Sequence, residues 1–317
     1  MSDGYSRRAF LQKTSLAAGA LIVGHLPFPA RTVRAAGGRE GPQLRFGMVS
    51  DVHFADIDPG GERFYRQSDR KLSECVEVMN REKVDFVIEL GDFKDQDTPP
   101  VPARTLGYLR HIEAVFAKFT GPRYHVLGNH DTDSISKEEF LSLALNSGIP
   151  GRSTYYAFES AGIRCIVLDA CFRSDGSPYG RGNNAWEDSN IPQSELVWLK
   201  EQLDSARGPA IVFVHQQLDG QGAYNVRNAS EVRKVLRDSG KVLAVFQGHR
   251  HEGSYNVLEG IPYYTLQGLI EGGGLENNSY AIVEVRSGSR VTVRGFRRAM
   301  SLELWQAPLP ALGRPAG

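Results

Sequence analysis

Apolar runs rich in β-branched residues alternate along the chain with segments of helical periodicity. Five of these runs have the length and composition of buried strands, at residues 44–49, 84–90, 124–127, 211–214 and 242–246. Amphipathic helices are predicted at residues 67–80, 103–119, 137–145, 193–205 and 229–238. Further strands are predicted at residues 154–158, 164–168, 254–258, 262–266, 279–285 and 290–296. Helices that alternate with strands, followed by a run of strands, favour a layered α/β (α+β) fold with its helices outside.

Polar residues stand at the C-terminal end of each of the five buried strands. These polar islands are Asp51-Val-His53, Gly91-Asp92, Gly128-Asn129-His130-Asp131, His215 and Gly248-His249-Arg-His251. Ligands of open α/β sheets collect at the carboxyl ends of strands, so we expect the islands to lie close together. Imidazoles combined with carboxylates suit Zn, Fe or Mn, and the islands contain no cysteine for a structural thiolate zinc site. The pattern predicts a transition-metal site.

The spacing within the islands indicates how a cation would be held. Asp51 and His53 are two residues apart, and in an extended segment their side chains would point the same way. The Gly248-His249-Arg-His251 island repeats this spacing with two imidazoles. Taken singly, an Asp after Gly is usually a turn or cap residue, and a lone His is usually hydrogen-bonded scaffold. We keep the scaffold interpretation for His111 and His125, which lie outside the islands.

Two long irregular stretches stand out, since residues 171–192 are rich in Gly, Ser, Asn and Pro and residues 216–228 directly follow His215. Loops of this length are uncommon inside compact domains unless they serve a functional site. The alternative, that they are solvated surface loops, is equally consistent with their composition.

The charge balance excludes some partners. The chain has 37 basic and 37 acidic side chains and no Lys/Arg-rich run, whereas proteins that bind duplex nucleic acid usually carry a basic patch. We therefore expect no duplex nucleic acid partner, and a nuclease is disfavoured. The three cysteines, Cys75, Cys165 and Cys171, do not form a disulfide framework.

The N-terminal residues resemble a twin-arginine export signal. Ser6-Arg7-Arg8-Ala9-Phe10-Leu11 precedes an apolar stretch at 16–26 and a small-residue cleavage site at 33–35. The apolar stretch is too short for a hydrocarbon core of ~30 Å, so no stable membrane span is expected. An uncleaved anchor and a chance basic pair are the alternatives. We predict a signal peptide at 1–35, and therefore a twin-arginine export machinery as partner and a periplasmic or extracellular location.

The remaining domain boundaries follow the predicted signal peptide. A Gly-rich linker is predicted at 36–43, one folded domain at 44–300 and a C-terminal tail at 301–317. The ordered set D-x-H, GD, GNHD, H and GHxH resembles the calcineurin-like metallophosphoesterases across nearly all of the chain after the linker. That resemblance implies a four-layer αββα sandwich of two mixed β-sheets flanked by helices, with a dinuclear metal site at the strand ends.

The same resemblance implies a role for each polar residue of the islands. One metal would be held by Asp51, His53 and His251, the other by Asn129, His215 and His249, and both by Asp92 as a bridge. His130 matches the catalytic histidine of the family. Asp131 is expected to orient His130 instead of binding metal. The cofactors would be two divalent or trivalent transition-metal ions, Mn, Fe or Zn.

A narrower resemblance is to the manganese-dependent ADP-ribose/CDP-alcohol diphosphatases. It is carried by Asp51-Val-His53-Phe-Ala55-Asp56, Phe64-Tyr65-Arg66-Gln67-Ser68, Gly248-His249-Arg-His251-Glu-Gly253 and Leu269-Ile270-Glu271. Tyr65 and Arg66 are candidate substrate contacts, although Arg66 could simply begin the following helix. The substrate would be a small phosphorylated molecule.

The activity implied is that of an exported phosphohydrolase. Two cations ~3.5–4 Å apart can clamp a phosphoryl group and activate a hydroxide that attacks phosphorus in line. His130, if protonated, would donate a proton to the leaving oxygen or stabilise the developing charge. The sequence leaves open whether the bond is a phosphodiester, a pyrophosphate or a phosphomonoester, as in alkaline phosphatases. A non-catalytic, metal-stabilised binding module is the alternative from a different class.

Overall fold

The computed structural model describes residues 41, 43–151 and 153–304. The predicted signal peptide at 1–35 lies outside the described residues, as do most of the predicted linker at 36–43 and most of the predicted tail at 301–317. None of the described helices is long and apolar enough to cross a membrane.

The described residues contain twelve strands and five α-helices, numbered here in chain order. The strands are β1 Leu44–Val49, β2 Phe86–Glu89, β3 Arg123–His125, β4 Tyr156–Ser160, β5 Ile163–Val167, β6 Ala210–Phe213, β7 Val242–Gln247, β8 Ser254–Leu258, β9 Ile261–Thr265, β10 Ser279–Val285, β11 Val291–Arg297 and β12 Leu302–Leu304. The helices are α1 Ser68–Glu82, α2 Pro102–Phe116, α3 Lys137–Leu141, α4 Gln193–Ser205 and α5 Ala229–Ser239.

The strands form two mixed six-stranded sheets. The first has the order β12-β11-β10-β1-β2-β3, and the second has the order β4-β5-β6-β7-β9-β8. Strands β1, β2 and β3 are parallel, while β10, β11 and β12 extend the first sheet in antiparallel register. In the second sheet, β5, β6, β7 and β9 are parallel, and β4 and β8 are antiparallel edges.

Three apolar clusters hold four layers together. Between the sheets, the ring of Phe46 on β1 lies 5.0 Å from Phe86, 5.5 Å from Phe213 and 5.6 Å from Phe246, so side chains of both sheets interlock. A second cluster packs α1, α2 and α3 on the first sheet, and a third packs α4 and α5 on the second. Each fully buried side chain of this size contributes about 1.5–3 kcal/mol. The predicted αββα sandwich of two mixed sheets is confirmed.

Helix α1 illustrates how the sequence sets an element. Leu72, Cys75, Val76 and Met79 recur every three or four residues and are all buried against the first sheet. The helix ends where Lys83 adopts a left-handed conformation with φ 52°, and its N–H closes the last turn on the carbonyls of the helix. The chain then turns directly into β2 and delivers the Gly91-Asp92 island.

Several predicted bounds differ from the structure. The strand predicted at 84–90 is shorter and runs from Phe86 to Glu89, although the N–H of Leu90 still donates to the carbonyl of Val49 at 2.9 Å. The helix predicted at 137–145 ends at Leu141. Strand β12 lies within the predicted tail and pairs with β11. The three cysteines are buried and free, as expected.

Candidate metal centre

The five polar islands meet at one edge of the sandwich. Each follows the carboxyl end of a parallel strand, namely β1, β2 and β3 of the first sheet and β6 and β7 of the second. The two sheets face each other, so the two sets of strand ends open toward a common site. The islands come together as the sequence predicted. The side chains that gather within a few ångströms of one another are Asp51, His53, Asp92, Asn129, His130, His215, His249 and His251.

The backbone of this site is strained. Asp51, His53, Asp92 and His249 have positive φ angles of 53°, 46°, 57° and 68°. Non-glycine residues rarely adopt this region, and each instance costs on the order of 1–3 kcal/mol unless neighbouring contacts enforce it. The expectation that Asp51 and His53 lie in an extended segment is therefore wrong. Their side chains converge because two left-handed residues turn the chain sharply after β1.

Two glycines allow the loops to approach each other closely. A Cβ on Gly91, whose φ is 102°, would collide with the ring of His215, and a Cβ on Gly128 would collide with Asp92. These glycines thus let the second and third strand ends pack against the ligands of their neighbours.

One group of ligand atoms gathers around Asp51, His53 and His251. Their ligand atoms lie within 4.8 Å of one another. Nε2 of His251 is 3.3 Å from Oδ1 of Asp51 and 3.2 Å from Nε2 of His53. Three side chains converge on a single point with one carboxylate and two imidazoles, as the resemblance implied for the first metal.

A second group contains Asp92, His215 and His249, again within 4.8 Å. Nε2 of His215 is 3.1 Å from Oδ2 of Asp92, and Asn129 lines the same cavity. The same Oδ2 of Asp92 is 3.5 Å from Nε2 of His53. The carboxylate of Asp92 therefore lies between the two groups, in the position of a bridge.

The surroundings of the imidazoles fit metal ligation. Nδ1 of His53 lies 3.1 Å from Asp95, Nδ1 of His215 lies 2.8 Å from the carbonyl of Leu90, and Nδ1 of His251 lies 2.5 Å from Glu271. A proton held on each Nδ1 leaves the Nε2 lone pair directed into the site.

Two further buried atoms support the same interpretation. Among the described residues, Oδ1 of Asn129 and Nε2 of His249 have no hydrogen-bond partner, although both are buried. Buried polar atoms are nearly always satisfied, so these two point to a missing ligand. A set of imidazole, carboxylate and amide donors in two groups suits two transition-metal ions.

The electrostatics of the site favour the ligand forms of Asp51, Asp92 and His249. Burial acts to raise the pKa of Asp51, but the charges of His251 and His215 outweigh it and lower that pKa to about 2. Burial likewise acts to raise the pKa of Asp92, and His215 and His130 outweigh it and hold that pKa well below its usual value. Burial, reinforced by His215, lowers the pKa of His249 to about 3. Both carboxylates are ionised and His249 is neutral near pH 7, as ligation requires. Burial acts to lower the pKa of His215 and of His251, but Asp92 and Asp51 outweigh it and raise both values to about 9, so metal binding would displace a proton from each of these two rings.

His130 projects into the site beside the two groups, and its ligand atom lies within 4.8 Å of those of His53 and Asp92. Its ring packs edge-on against His53 with centroids 4.7 Å apart. Its Nδ1 lies 3.6 Å from Asp95 and 3.5 Å from Asp133, and Asp133 is paired in turn with the buried Lys94. Burial acts to lower the pKa of His130, but Asp92 and Asp95 outweigh it and raise that pKa well above its usual value. The ring thus lies partly exposed at the mouth of the site, beside carboxylates that favour its protonated form.

The role predicted for Asp131 is wrong. Its carboxylate accepts hydrogen bonds from the backbone N–H groups of Asp92 at 3.0 Å, Phe93 at 2.8 Å and Gly128 at 2.8 Å. It therefore ties two ligand-bearing loops together, and the His130 ring is held by Asp95 and Asp133 instead. The sequence showed the acidic residue next to His130, but the left-handed turn at Asp92 directs its backbone toward Asp131.

Tyr65 and Arg66 are not brought to the metal centre. Arg66 bonds to Asp56 at 2.5 Å and Asp58 at 2.7 Å, and it lines a different cavity beside Phe54. Tyr65 is partly buried against the cluster under α1. Their interpretation as substrate contacts is not supported by these positions.

The metal centre opens into a cavity of about 360 Å³, a size suited to a small molecule. Besides the ligands and His130, its walls contain Arg63, Trp186 and Tyr224. Sequence reasoning missed these three residues. The signal available was the length of the loops at 171–192 and 216–228, which carry Trp186 and Tyr224 and do serve the site.

Comparisons with known proteins agree with this geometry. The sequence profile of the calcineurin-like phosphoesterase family matches residues 44–253. A manganese-dependent ADP-ribose/CDP-alcohol diphosphatase of Arabidopsis thaliana is 29% identical over 276 residues, covering 73% of this chain and 87% of the relative. A protein of the same description from Oryza sativa subsp. japonica is 29% identical over 274 residues, covering 73% and 84%.

A solved structure has the same fold. A dimetal phosphatase from Danio rerio superposes with a TM-score of 0.74 at 23% identity, covering 84% of this chain and all of the other. Two divalent transition-metal ions are therefore the cofactors of this site. The chain is a metal-dependent hydrolase of phosphoric esters, which confirms the predicted enzyme over a non-catalytic binding module. It belongs to the calcineurin-like phosphoesterase family.

Proposed function

We propose that this enzyme is a diphosphatase that hydrolyses the pyrophosphate bond of small nucleoside-diphosphate compounds such as ADP-ribose or CDP-alcohols. The names of its relatives suggest this substrate class. The observation that carries the proposal is a pair of aromatic side chains at the mouth of the metal cavity, Trp186 and Tyr224. Such a pair can stack on a nucleoside base, a group that a simple phosphate ester lacks.

The aromatic pair lies next to a metal ligand. The rings of Trp186 and Tyr224 are 5.3 Å apart, and they lie 5.9 Å and 5.4 Å from the ring of His249. Both side chains remain open to solvent, with exposed fractions of 38% and 43%. Base stacking on an exposed aromatic side chain contributes about 1–3 kcal/mol. A base bound here would place its attached phosphates toward the second group of ligands.

The loops that carry the pair are braced against each other. The N–H of Arg227 donates to the carbonyl of Ser189 at 2.8 Å. The side chain of Asn228 bonds to both the N–H and the carbonyl of Ile191, at 3.1 Å and 2.8 Å. The stacking surface is therefore largely formed before substrate binds, which reduces the entropy lost on binding.

Arg63 supplies a cation beside the first group of ligands. Its Nε lies 3.7 Å from Glu271, the residue bonded to His251, and its side chain lines the metal cavity. A guanidinium in this position can contact a second phosphate. A pyrophosphate substrate uses both the metal centre and Arg63, whereas a monoester has no second phosphate to offer.

The residues of the chain divide the chemistry among them. When bound, the two metal ions polarise the phosphoryl group and lower the pKa of water. Asp92 and the other ligands of the two groups would hold the metal ions in position. The aromatic pair and Arg63 would orient the substrate. His130, which lines the cavity beside carboxylates that favour its protonated form, would deliver a proton to the leaving oxygen.

The aromatic pair gives a direct test of the substrate class. In Trp186→Ala and Tyr224→Ala, we expect KM for ADP-ribose to rise by about 5–150-fold, since that is the equivalent of 1–3 kcal/mol of stacking. Hydrolysis of bis-p-nitrophenyl phosphate, which has no nucleoside base, is expected to change little. Steady-state kinetics on both substrates with Mn²⁺ make the measurement.

Val197→Ala is the matched control, because Val197 is an exposed apolar side chain on α4 that does not line the metal cavity. It should leave both activities unchanged. Equal losses on the two substrates in the Trp186 and Tyr224 variants, or a wild-type enzyme that prefers phosphomonoesters to ADP-ribose, would contradict the proposal.

We also propose that the enzyme is exported by a twin-arginine pathway. The support is the Arg7-Arg8 pair followed by a short apolar stretch. In a bacterial host with this pathway, we expect the wild-type activity in the periplasmic fraction. A variant with both arginines changed to lysine should keep active enzyme in the cytoplasm. Wild-type activity found in the cytoplasm alone would contradict the proposal.

A further inference from the structure

Behind the metal centre, three titratable side chains form a buried row in an aromatic part of the core. Nδ1 of His125 lies 3.7 Å from Oε2 of Glu89, and Nε2 of His125 lies 3.1 Å from Oε2 of Glu113. All three side chains are buried. The rings of Phe93 and Phe116 lie 5.0 Å and 5.1 Å from the ring of His125. Burying three ionisable groups together is unfavourable unless their mutual contacts offset the loss of hydration.

The row ends on the turn that carries the bridging carboxylate. Oε1 of Glu89 accepts a hydrogen bond from the N–H of Gly91 at 2.8 Å. Gly91 and Asp92 both have positive φ angles, 102° and 57°, so this turn is strained. The N–H of Gly91 is buried here, and without Glu89 it would lose the acceptor it has.

The same turn also supports the first group of ligands. The carbonyl of Gly91 accepts the N–H of Asp51 at 3.0 Å, and the carbonyl of Asp92 accepts the N–H of His53 at 2.9 Å. A shift of this turn would therefore move the backbone of two ligands in addition to Asp92 itself. The single hydrogen bond from the N–H of Gly91 to Glu89 therefore affects both groups of ligands.

We propose that Glu89 is a positioning residue of the metal centre. Through the N–H of Gly91 it fixes the turn that places the carboxylate of Asp92, and the ring of His125 lies beside its other oxygen at 3.7 Å. The inference rests on the metal centre alone, so its failure would leave the proposed diphosphatase activity untouched.

The chain offers a matched comparison for this contact. Glu195 on α4 is equally buried, and its Oε1 also accepts a backbone N–H at 2.8 Å, that of Asp169. The loop at Asp169 carries none of the metal ligands identified above. Removing the carboxylate of Glu195 therefore imposes a similar structural loss without disturbing the turn at Asp92.

The experiment measures manganese binding directly. Metal-depleted full-length protein is titrated with Mn²⁺, and the occupancy of the two sites and the magnetic coupling between them are followed by electron paramagnetic resonance. In Glu89→Leu, we expect the apparent Kd for Mn²⁺ to rise by about 10–100-fold and the signal of the coupled pair to weaken, as for other residues that support metal ligands. Glu89→Gln keeps an acceptor for the N–H of Gly91 and should retain most of the affinity.

Two further variants keep the outcome decisive. Glu195→Leu is expected to lower the melting temperature but to leave the Kd for Mn²⁺ and the coupled signal unchanged. His125→Gln leaves Glu89 in place without its ring partner, and we expect a smaller loss of affinity than in Glu89→Leu. Wild-type affinity in Glu89→Leu, or in His125→Gln if Glu89→Leu does not fold, would overturn the proposal. An equal loss of affinity in Glu195→Leu would also overturn it.

Discussion

Replacing Asp92 by alanine is expected to lower kcat/KM by about a thousandfold or more, since metal stabilisation of the transition state contributes several kcal/mol and each 1.36 kcal/mol is tenfold in rate. Oδ2 of Asp92 lies 3.1 Å from the ligand atom of His215 and 3.5 Å from that of His53, so it joins both groups. Without it, the protein should bind one Mn²⁺ tightly instead of two. Kinetics with ADP-ribose and metal analysis of the purified variant test both expectations.

Two other variants separate the charge of Asp92 from its contacts. Oδ1 of Asp92 accepts the N–H of His130 at 2.7 Å, and Asp92→Asn can preserve that bond while removing the charge. We expect Asp92→Asn to be nearly as inactive as the alanine variant. Asp219→Asn is the control, because Asp219 is a buried carboxylate that bonds Gln247 and Asn256 away from the metal cavity. Retention of two bound Mn²⁺ and of activity in Asp92→Ala would refute the bridge.

The elements that the sequence predicted well are those whose ends carry local signals. Helix α4 begins after Pro192 and matches its predicted bounds, and β8 and β10 also match. Pro192 is extended, and the residue before a proline disfavours the helical conformation. The local sequence therefore predicts where α4 starts. Strand β12 is three residues long and is stabilised by pairing with β11, a contact that no local pattern reveals.

The ligand positions could be predicted because strands in parallel sheets end at a common edge, whatever the conformation of the following loop. The loop conformations could not. Asp95 and Glu271 contact the rings of His53 and His251 from 42 and 20 residues away along the chain, whereas Asp133 lies only three residues from His130. Nothing in the local sequence indicates the two long-range pairings, since they depend on how separate loops pack.

Two arginines close together in the sequence, Arg63 and Arg66, also could not be told apart by local sequence alone. Arg63 reaches the metal cavity, whereas Arg66 turns away to Asp56 and Asp58. The difference is set by a tight turn in which Gly60 and Arg63 exchange backbone hydrogen bonds at 3.1 Å, and by a bridge from Arg63 to Glu271. A resemblance in sequence locates such a loop, but only its folded contacts decide which of its cations faces the metal cavity.

Replacing His130 by asparagine is expected to lower kcat for ADP-ribose by about 10²–10⁴-fold, the usual contribution of a positioned general acid. Both Mn²⁺ ions should remain bound, because the two groups of ligands defined above keep all their side chains, although the ligand atom of His130 lies within 4.8 Å of those of His53 and Asp92. The loss should be much smaller for bis-p-nitrophenyl phosphate, since p-nitrophenolate leaves without needing a proton. Kinetics on both substrates, with metal analysis, separate a proton donor from a structural residue.

The pH profile provides an independent test of the same role. Burial acts to lower the pKa of His130, but the charges of Asp92 and Asp95 outweigh it and raise that pKa well above its usual value. A group with a raised pKa stays protonated through neutral pH and loses its proton only as the pH rises through the raised value. The kcat of the wild-type enzyme should therefore stay level near neutrality and fall on the alkaline side, and His130→Asn should lack that fall. An unchanged alkaline fall in the variant, or equal losses on the two substrates, would assign the proton donation to another group.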